Sequence, residues 1–335
     1  MAGYNEIRGL RVKYLSADPS NPEDGQVWYN STTGNLRVDG ILGTASWASS
    51  GNMSVARAHI GGAGSESSGL AFGGEGAPTG NTNSTEEYNG SAWTGGGNYP
   101  SQDESIMACG LTESTTLAFG GINNASPGSR QTTSVLYNGT AWTATNSLPT
   151  AKRAGQGFGI STAAVCMGGD TSPGGTQNTV EEWDGTNWAS VPNAPFSKGN
   201  IGGGTGTLTA GLVFGGYDGT ANAATTYEYD GTNWTAGGSM GTARNTVNGF
   251  GGPAGQTASI CAGGDAPPVT AATELYNGTS WTGTASLATA RSGSANGIGV
   301  NTTAGVQAGG YTGSYTVATE EFTGAITETK NLSTS

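Results

Sequence analysis

The sequence predicts an all-β protein, a six-bladed β-propeller with a short N-terminal hairpin arm. Three features predict this fold: a glycine pair that recurs at nearly constant spacing, an aromatic residue and a turn glycine after each pair, and a tryptophan beyond most of those turns. Recurrence at a period of about 20 to 50 residues is typical of a structural repeat. Successive pairs lie 47, 48, 47, 48 and 46 residues apart, at Gly73-Gly74, Gly120-Gly121, Gly168-Gly169, Gly215-Gly216, Gly263-Gly264 and Gly309-Gly310.

Each repeat is expected to contain four antiparallel strands. An apolar run such as residues 211–214 leads into the glycine pair, and a β-prone run such as residues 225–229 follows it. Asn-Gly or Asp-Gly then predicts a hairpin turn, because both turn residues must accept a positive φ. A further strand precedes each apolar run, and no segment shows sustained helical periodicity. Four-stranded units at regular spacing are typical of a β-propeller.

Two aromatic positions recur in these repeats, and both are expected to pack between blades. A buried aromatic ring removes about 150 to 250 Å² from water, so such positions dominate the energetics of a core. The aromatic before the turn is Tyr88, Tyr137, Trp183, Tyr229, Tyr276 or Phe322. The tryptophan five residues after each of the first five is Trp93, Trp142, Trp188, Trp234 or Trp281. The turn residue is Asn in three repeats and Asp in two, so the turn requires no carboxylate.

The sixth repeat has no tryptophan at the expected place, and Trp47 stands before the first repeat instead. We expect the strand around Trp47 to lie beside the strand at residues 320–322, which would complete the sixth blade and close the ring. This arrangement predicts an arm over residues 1–46, a propeller over residues 47–328 and a C-terminal tail over residues 329–335.

The repeats resemble kelch repeats. Each has a glycine pair that ends the second strand, an aromatic in the third strand, a tryptophan in the fourth and a basic residue in the first. The resemblance covers about residues 48 to 326 and implies a closed propeller of kelch-like blades.

A charged pair also recurs. Glu stands two residues before the aromatic in four repeats, and the same repeats carry Arg in the first strand; the pairs are Arg57 with Glu86, Arg153 with Glu181, Arg244 with Glu274 and Arg291 with Glu320. Repeat two has Val135 and Glu104 near these positions, and repeat four has Lys198 with Glu228 one place later. This parallel loss predicts ion pairs within or between blades. The alternative is a ring of acids that binds a cation.

Composition excludes several classes of partner. Lys and Arg number 12 against 24 Asp and Glu, a net charge of −12, whereas nucleic-acid binding needs basic surface. No apolar run is long enough for membrane insertion, and the N-terminus lacks the pattern of a signal peptide, so we expect synthesis in a cytoplasm without secretion. The three cysteines, Cys109, Cys166 and Cys261, have no metal-ligand spacing and are expected to be buried.

The residue inventory predicts a protein that is not an enzyme, with no catalytic residues, no metal and no cofactor. His59 is the one histidine, so a Ser-His-Asp triad or a site with several histidine ligands is hard to build. The turn at Asp184-Gly185 and Trp188 does not match the spacing of the sialidase Asp-box. A glycan-processing enzyme is therefore the third and weakest hypothesis.

Residues 17–40 do not match the repeat and predict a separate hairpin. The segment resembles short modules of bacteriophage tail-fibre and other virion proteins, which implies that the arm docks onto the particle. The alternative is an ordinary hairpin packed on the propeller. The virion-docking candidates are Ile7, Leu10, Val12, Tyr14, Trp28 and Tyr29.

Loops after the glycine pairs vary in length and are rich in Asn, Ser, Thr, Pro and Tyr, which suits the recognition of sugars or proteins. The alternative is that they are solvated linkers. The loop-face binding candidates are Asn81, Asn123, Asn124, Arg130, Tyr217, Tyr311 and Tyr315.

We therefore expect a bacteriophage virion structural protein, either a tail fibre or appendage or a capsid decoration protein. Its partners would be other virion proteins, such as capsid, portal or tail components, and a host-surface glycan or protein; a homo-oligomer is compatible with this hypothesis. The alternative is a non-viral kelch-type lectin or protein-interaction module.

Overall fold

The computed structural model describes residues 12–20, 26–76, 80–123, 128–173, 175–200 and 202–331. The described residues are all-β: strands, turns and two 3-10 helices, Glu113–Thr115 and Gly252–Ala254, with no α-helix among them. The chain divides into two compact units, one over Trp47–Thr323 and a smaller one drawn from Met1–Ser46 and Gly324–Ser335.

Among the described residues, the larger unit contains five antiparallel sheets of four strands and a sixth of three strands, as expected of a propeller-like architecture. The first sheet comprises Gly61–Ser65, Ser68–Phe72, Thr85–Tyr88 and Trp93–Gly95. The second comprises Met107–Cys109, Thr116–Phe119, Ser134–Tyr137 and Trp142–Ala144. The third comprises Gln156–Ile160, Ala163–Met167, Val180–Trp183 and Trp188–Val191. The fourth comprises Gly203–Thr207, Ala210–Phe214, Thr226–Tyr229 and Trp234–Ala236, and the fifth Asn248–Phe250, Ser259–Ala262, Thr273–Tyr276 and Trp281–Thr284.

The sixth sheet draws strands from both ends of the larger unit. Its order is Ala304–Ala308, Thr319–Thr323 and Ser46–Ser50. Residues 295–298 run beside its first strand, because Ala295 N donates to Ala308 O at 3.0 Å and Val306 N donates to Ile298 O at 2.8 Å. The Trp47 ring lies 5.2 Å from the Phe322 ring. Trp47 therefore occupies the place that the other repeats fill with their own tryptophan.

Short strands pair in the loops that follow the glycine pairs. In the first repeat Glu75–Gly76 pairs with Gly80–Asn81. In the second, Asp103–Glu104, Ile122–Asn123 and Ser129–Arg130 form a small sheet. In the third, Asp170–Thr171 pairs with Gly175–Thr176.

The glycine pairs recur because the backbone demands them. Gly73 and Gly74 have φ angles of +62° and +97°, a region that side chains rarely adopt. A Cβ on Gly73 would also lie 2.6 Å from Asp103 O. The chain thus bends at the end of the second strand in a way that other residues would strain.

The Asn-Gly and Asp-Gly segments are turns that the Asn or Asp side chain closes. Asn89 Oδ1 accepts from the amides of Ser91 and Ala92 at 3.1 and 3.0 Å. Asp184 accepts in the same way from the amides of Asn187 and Thr186, and these bonds lower the pKa of its carboxyl group. An amide oxygen and a carboxylate oxygen serve equally here, so the turn does not require the carboxylate of Asp184.

The hydrophobic core lies between neighbouring sheets. One cluster joins Leu117 and Phe119 of the second sheet to Cys166 and Trp183 of the third. Within each repeat the two recurring aromatics pack together, with ring centroids 4.6 to 5.4 Å apart, in the pairs Tyr88–Trp93, Tyr137–Trp142, Trp183–Trp188, Tyr229–Trp234, Tyr276–Trp281 and Trp47–Phe322.

Three of the four predicted charged pairs are present, and in the third repeat the glutamate is paired with a different basic residue; all four pairs are buried and lie within single repeats. The pairs are Arg57–Glu86, Lys152–Glu181, Arg244–Glu274 and Arg291–Glu320, at 3.0, 2.5, 2.7 and 2.5 Å. Glu181 is thus paired with Lys152, whereas Arg153 lies on the surface beside Asp170 at 3.3 Å. Successive side chains of an extended segment point to opposite sides, so two adjacent basic residues cannot both reach the interior.

In two repeats the pair is changed. Asp103 occupies the position of Arg57 in the second repeat, where Val135 replaces the glutamate. In the fourth repeat, buried Lys198 donates instead to Gly215 O and Thr225 Oγ1, at 2.9 and 2.7 Å.

Two further hydrogen bonds join neighbouring sheets. The indole of the recurring tryptophan donates to a hydroxyl at the start of the third strand of the preceding sheet, at 2.9 to 3.1 Å, in the pairs Trp93–Thr319, Trp142–Thr85, Trp188–Ser134, Trp281–Thr226 and Trp47–Thr273. The recurring tyrosine donates to a glutamate of the preceding sheet in the pairs Tyr88–Glu321, Tyr137–Glu87, Tyr229–Glu182 and Tyr276–Glu228.

The tyrosine–glutamate contact is matched by covariation between repeats. Where the glutamate position holds Leu136 or Leu275, the aromatic of the next repeat is Trp183 or Phe322, neither of which carries a hydroxyl. Leu136 packs against the cluster that contains Trp183. A buried hydroxyl needs a hydrogen-bond partner, so tyrosine occurs where a glutamate carboxylate can accept its hydrogen bond.

The smaller unit is a four-stranded sheet in the order Lys13–Leu15, Val27–Asn30, Asn35–Gly43 and Ile326–Asn331. The first two strands are parallel and the others antiparallel. This arrangement corrects the predicted C-terminal boundaries: residues 326–328 were assigned to the propeller and 329–335 to a tail, yet Ile326–Asn331 pairs with Asn35–Gly43. The repeat comparison could not detect this pairing, because neither strand belongs to the repeat.

Candidate functional site

One residue in each repeat, two positions after the residue that corresponds to Arg57, has a left-handed backbone. Residues with a side chain adopt this conformation at a cost, so its recurrence is imposed by the fold. The φ angles lie between 46° and 63° for His59, Ser105, Ala154, Asn200, Thr246 and Gly293. We name these six residues the collar.

Backbone hydrogen bonds link the collar from repeat to repeat. Ser105 N donates to His59 O at 2.9 Å, and Ala154 N donates to Ser105 O at 3.0 Å. Thr246 N donates to Asn200 O and Gly293 N to Thr246 O, at 3.2 and 3.0 Å. All six collar residues line one cavity. Residues from every repeat therefore line a single cavity, the usual setting of a ligand site.

A second layer of residues surrounds the collar. The residue before each collar position pairs with the residue after a glycine pair, so the two backbones hold each other in place. The pairs are Ala58–Glu75, Glu104–Ile122, Arg153–Asp170, Gly199–Tyr217, Asn245–Asp265 and Ser292–Tyr311. The backbone arrangement is constant while the side chains change from repeat to repeat, as expected of a scaffold that carries variable surface groups.

Three metal-ligating side chains meet at the first repeat. His59 Nδ1 lies 3.7 Å from Glu75 Oε2 and 3.7 Å from Glu104 Oε2. One ligand atom from each residue lies within 4.8 Å of the others. We name His59, Glu75 and Glu104 the triad. The hydrogen bond to Glu104, together with the charges of Glu104 and Glu75, raises the pKa of His59 although burial opposes it.

Two tyrosines predicted to bind ligand lie beside the triad. Tyr311 is 43% exposed, and its ring lies 5.7 Å from the ring of Tyr315 in an edge-to-face arrangement. Burial and a hydrogen bond to Glu75 raise the pKa of Tyr315 to about 12. Glu75 thus joins the tyrosine pair to His59, and the structure brings these two predicted residues together with the triad.

Arg130 and Tyr217 lie elsewhere on the loops. Arg130 contacts Asp170 at 2.7 Å, and Arg153 contacts the same carboxylate. The Tyr217 hydroxyl donates to Gly219 O within its own loop, at 3.1 Å. Neither residue contributes to the triad.

The predicted asparagines differ in burial. Asn81 is buried and donates to Gln102 O at 3.4 Å, and its contact with a ligand stays a prediction. Asn123 is half-buried and lies opposite Asp103 in the small sheet. Asn124 lies outside the described residues.

In the arm, the segment of residues 17–40 that resembles virion modules contains contacts that hold the hairpin together. Trp28 is fully buried, and its indole and the Asn30 amide both donate to Asp18 Oδ1, at 2.9 and 2.8 Å. Arg37 forms an ion pair with the same carboxylate. Trp28 therefore packs inside the hairpin, and its part in docking stays a prediction.

Other arm candidates present a surface. Tyr14 is 73% and Val12 49% exposed, and the Tyr14 ring stacks on that of half-buried Tyr29 at 4.9 Å. Ile7 and Leu10 lie outside the described residues.

The triad was not predicted from the sequence. His59 was interpreted as a lone histidine, and Glu75 and Glu104 belong to different repeats. A comparison of equivalent positions in the other repeats would have singled out the triad. Each equivalent set consists of a collar residue, the residue after the glycine pair of the same repeat and the residue before the collar position of the next repeat. These sets are Ser105, Ile122 and Arg153; Ala154, Asp170 and Gly199; Asn200, Tyr217 and Asn245; Thr246, Asp265 and Ser292; and Gly293, Tyr311 and Ala58. None of these five sets holds three metal-ligating side chains.

The cysteines are buried, as predicted. Burial raises the pKa of Cys109 to about 12, and it raises those of Cys166 and Cys261 as well. A thiol acts as a nucleophile or ligand through its thiolate, so these three residues suit packing rather than chemistry.

Among the described residues, no helix has the length and apolar character needed to cross a membrane. Comparison with models of known protein families gives no match to this chain, and neither does comparison with curated protein sequences.

Proposed function

We propose that residues 47–323 form a closed propeller of six kelch-like blades. The contacts between neighbouring sheets support this arrangement: hydrogen bonds from tryptophan or tyrosine connect the first sheet to the second, the second to the third, and so on to the sixth, and Trp93 and Tyr88 connect the first back to the sixth. Averaged electron-microscope images of the isolated protein should show six lobes around a centre. Five or seven lobes would contradict the proposal.

We further propose that the protein is a non-enzymatic bacteriophage virion structural protein of the appendage, fibre or decoration type. The arm carries this proposal. Together with residues 324–335 it forms a compact unit, and its motif resembles virion modules. Asp18 binds Trp28 and Arg37 of that motif, while Tyr14 and Val12 stay exposed. Exposed apolar groups of this kind mark a protein–protein contact when they form a patch.

The surface of the larger unit that carries Tyr311 and Glu75, which we name the propeller face, would bind a host-surface glycan. Tyr311 offers an exposed aromatic ring, and the carboxylate of Glu75 is an acceptor for hydroxyl groups. Backbone pairs hold both residues, Glu75 with Ala58 and Tyr311 with Ser292, so little ordering is required when a ligand binds.

Two variants test the two halves of this proposal. Tyr14→Ser should remove the protein from purified virions, as measured by quantitative mass spectrometry and immunogold labelling. Tyr311→Ala should leave incorporation unchanged but abolish binding to a glycan array. If the unaltered protein is absent from virions, the virion assignment is wrong; if Tyr311→Ala binds glycans as the unaltered protein does, the face assignment is wrong.

A further inference from the structure

We propose that the triad binds a divalent transition-metal ion of the zinc class. Zn²⁺ takes imidazole nitrogen and carboxylate oxygen at about 2.0 to 2.2 Å, so ligand atoms in a tetrahedral site lie about 3.3 to 3.6 Å apart. The two separations from His59 Nδ1, both 3.7 Å, are close to that value, and the two carboxylate oxygens lie within 4.8 Å of each other. An inward movement of the two carboxylates would complete the three protein contacts.

The backbone holds all three ligands before any ion arrives. Ser105 N donates to His59 O, and the Ala58 and Glu75 backbones exchange hydrogen bonds of 2.8 Å. Glu104 is paired with Ile122 in the small sheet. The hydrogen bond from Tyr315 also orients the Glu75 side chain. Outer contacts of this kind commonly fix metal ligands.

The fold does not need these three side chains. Five equivalent sets keep the same backbone pairing with other residues, among them serine, isoleucine, glycine and alanine. A structural role common to all repeats therefore cannot explain why histidine and two glutamates meet only in the first set among the described residues. His59 also lines the collar cavity, so a water or ligand atom from that cavity can supply a further coordination position.

The donor set selects the class of ion. Imidazole suits Zn²⁺, Cu²⁺, Fe²⁺ and Ni²⁺, whereas Ca²⁺ prefers six to eight oxygen ligands, about twice what this site offers. The inference does not rest on the virion assignment, because it concerns the isolated protein.

Calorimetric titration of the purified full chain with Zn²⁺ tests the proposal. We expect one ion per chain, visible absorption of a low-coordinate site when Co²⁺ replaces Zn²⁺, and a higher melting temperature with Zn²⁺. His59→Asn should weaken binding at least 10-fold. Asparagine stands at the same collar position in the fourth repeat, as Asn200, where it adopts the same left-handed backbone.

Two further variants keep the test independent of folding. Glu104→Gln preserves shape and should also weaken binding at least 10-fold. Asp265→Asn changes the residue that corresponds to Glu75 in the fifth repeat and should leave binding unchanged. The proposal would be overturned if the native protein failed to bind Zn²⁺ or bound Ca²⁺ stoichiometrically but not Zn²⁺. It would also be overturned if His59→Asn and Glu104→Gln bound Zn²⁺ as tightly as the native protein does.

Discussion

The fourth and fifth sheets share one backbone arrangement but differ in the contacts within it. In the fifth sheet, Arg244 is paired with Glu274, and the Trp281 indole donates to Thr226. In the fourth, Lys198 is bonded to a carbonyl and a hydroxyl instead of a carboxylate, and the buried Trp234 indole nitrogen has no partner. The topology of a sheet therefore does not depend on either contact. We infer that these contacts add stability to an arrangement that the glycine pairs, turns and aromatic rings already specify.

The largest change in the free energy of unfolding is expected from breaking the Arg244–Glu274 ion pair of the fifth sheet. Glu274→Ala leaves Arg244 buried without its carboxylate, and removal of one partner of a buried pair costs about 3 to 5 kcal/mol. Arg153→Ala is the matched control on the surface. Its pair with Asp170 is partly exposed, so its loss should cost at most about 1 kcal/mol. Urea unfolding measures both, and equal costs would contradict the assignment of Arg153 to the surface.

That contrast also shows where the sequence reaches its limit. The repeat period, the strand order and the aromatic positions could be predicted because each depends on local chemistry that recurs along the chain. The choice between Lys152 and Arg153 could not, since it depends on a one-residue register within an extended segment. The triad could not be predicted either, because Glu75 and Glu104 meet only when two repeats lie side by side.

The fourth sheet should respond to pH through Lys198. Burial lowers the pKa of Lys198 from 10.5 to about 8. Between these two pH values the unfolded chain holds a proton that the folded chain has released, so the free energy of unfolding rises with pH, by about 1 to 3 kcal/mol. Below pH 8 the penalty for the buried charge is fully present.

Lys198→Met isolates this effect, because the other titrating groups remain. The difference in unfolding free energy between the native chain and Lys198→Met should change across pH 8 to 10.5 in favour of the native chain. A difference that is constant over this range would mean that Lys198 is not the titrating group.

The tyrosine–glutamate hydrogen bond that joins the fourth and fifth sheets can be replaced by the apolar contact that occurs elsewhere in the chain. Tyr276 donates to Glu228 at 2.8 Å, whereas the fifth and sixth sheets carry Leu275 and Phe322 at the same positions. Glu228→Leu should cost about 1 to 3 kcal/mol, because a buried hydroxyl loses its partner. Addition of Tyr276→Phe should recover about 1 kcal/mol of that cost. A double-mutant cycle from urea unfolding gives the coupling, and additive costs would show that the covariation has another origin.

The smallest effect is expected from giving the fourth sheet the contact that it lacks. Trp234 has no partner because Val180 stands where the other sheets have Thr or Ser, as Thr226 does for Trp281. Val180→Thr keeps the β-branched shape and supplies a hydroxyl, so it should raise the unfolding free energy by about 0.5 to 1.5 kcal/mol, the net worth of one hydrogen bond. Thr226→Val should act in the opposite direction on Trp281, and nuclear magnetic resonance of the two indole N–H groups should report the bond gained and the bond lost. If Val180→Thr lowers stability while the Trp234 indole resonance stays in place, the unpartnered indole is accommodated by its surroundings and the recurring threonine serves the strand rather than the tryptophan.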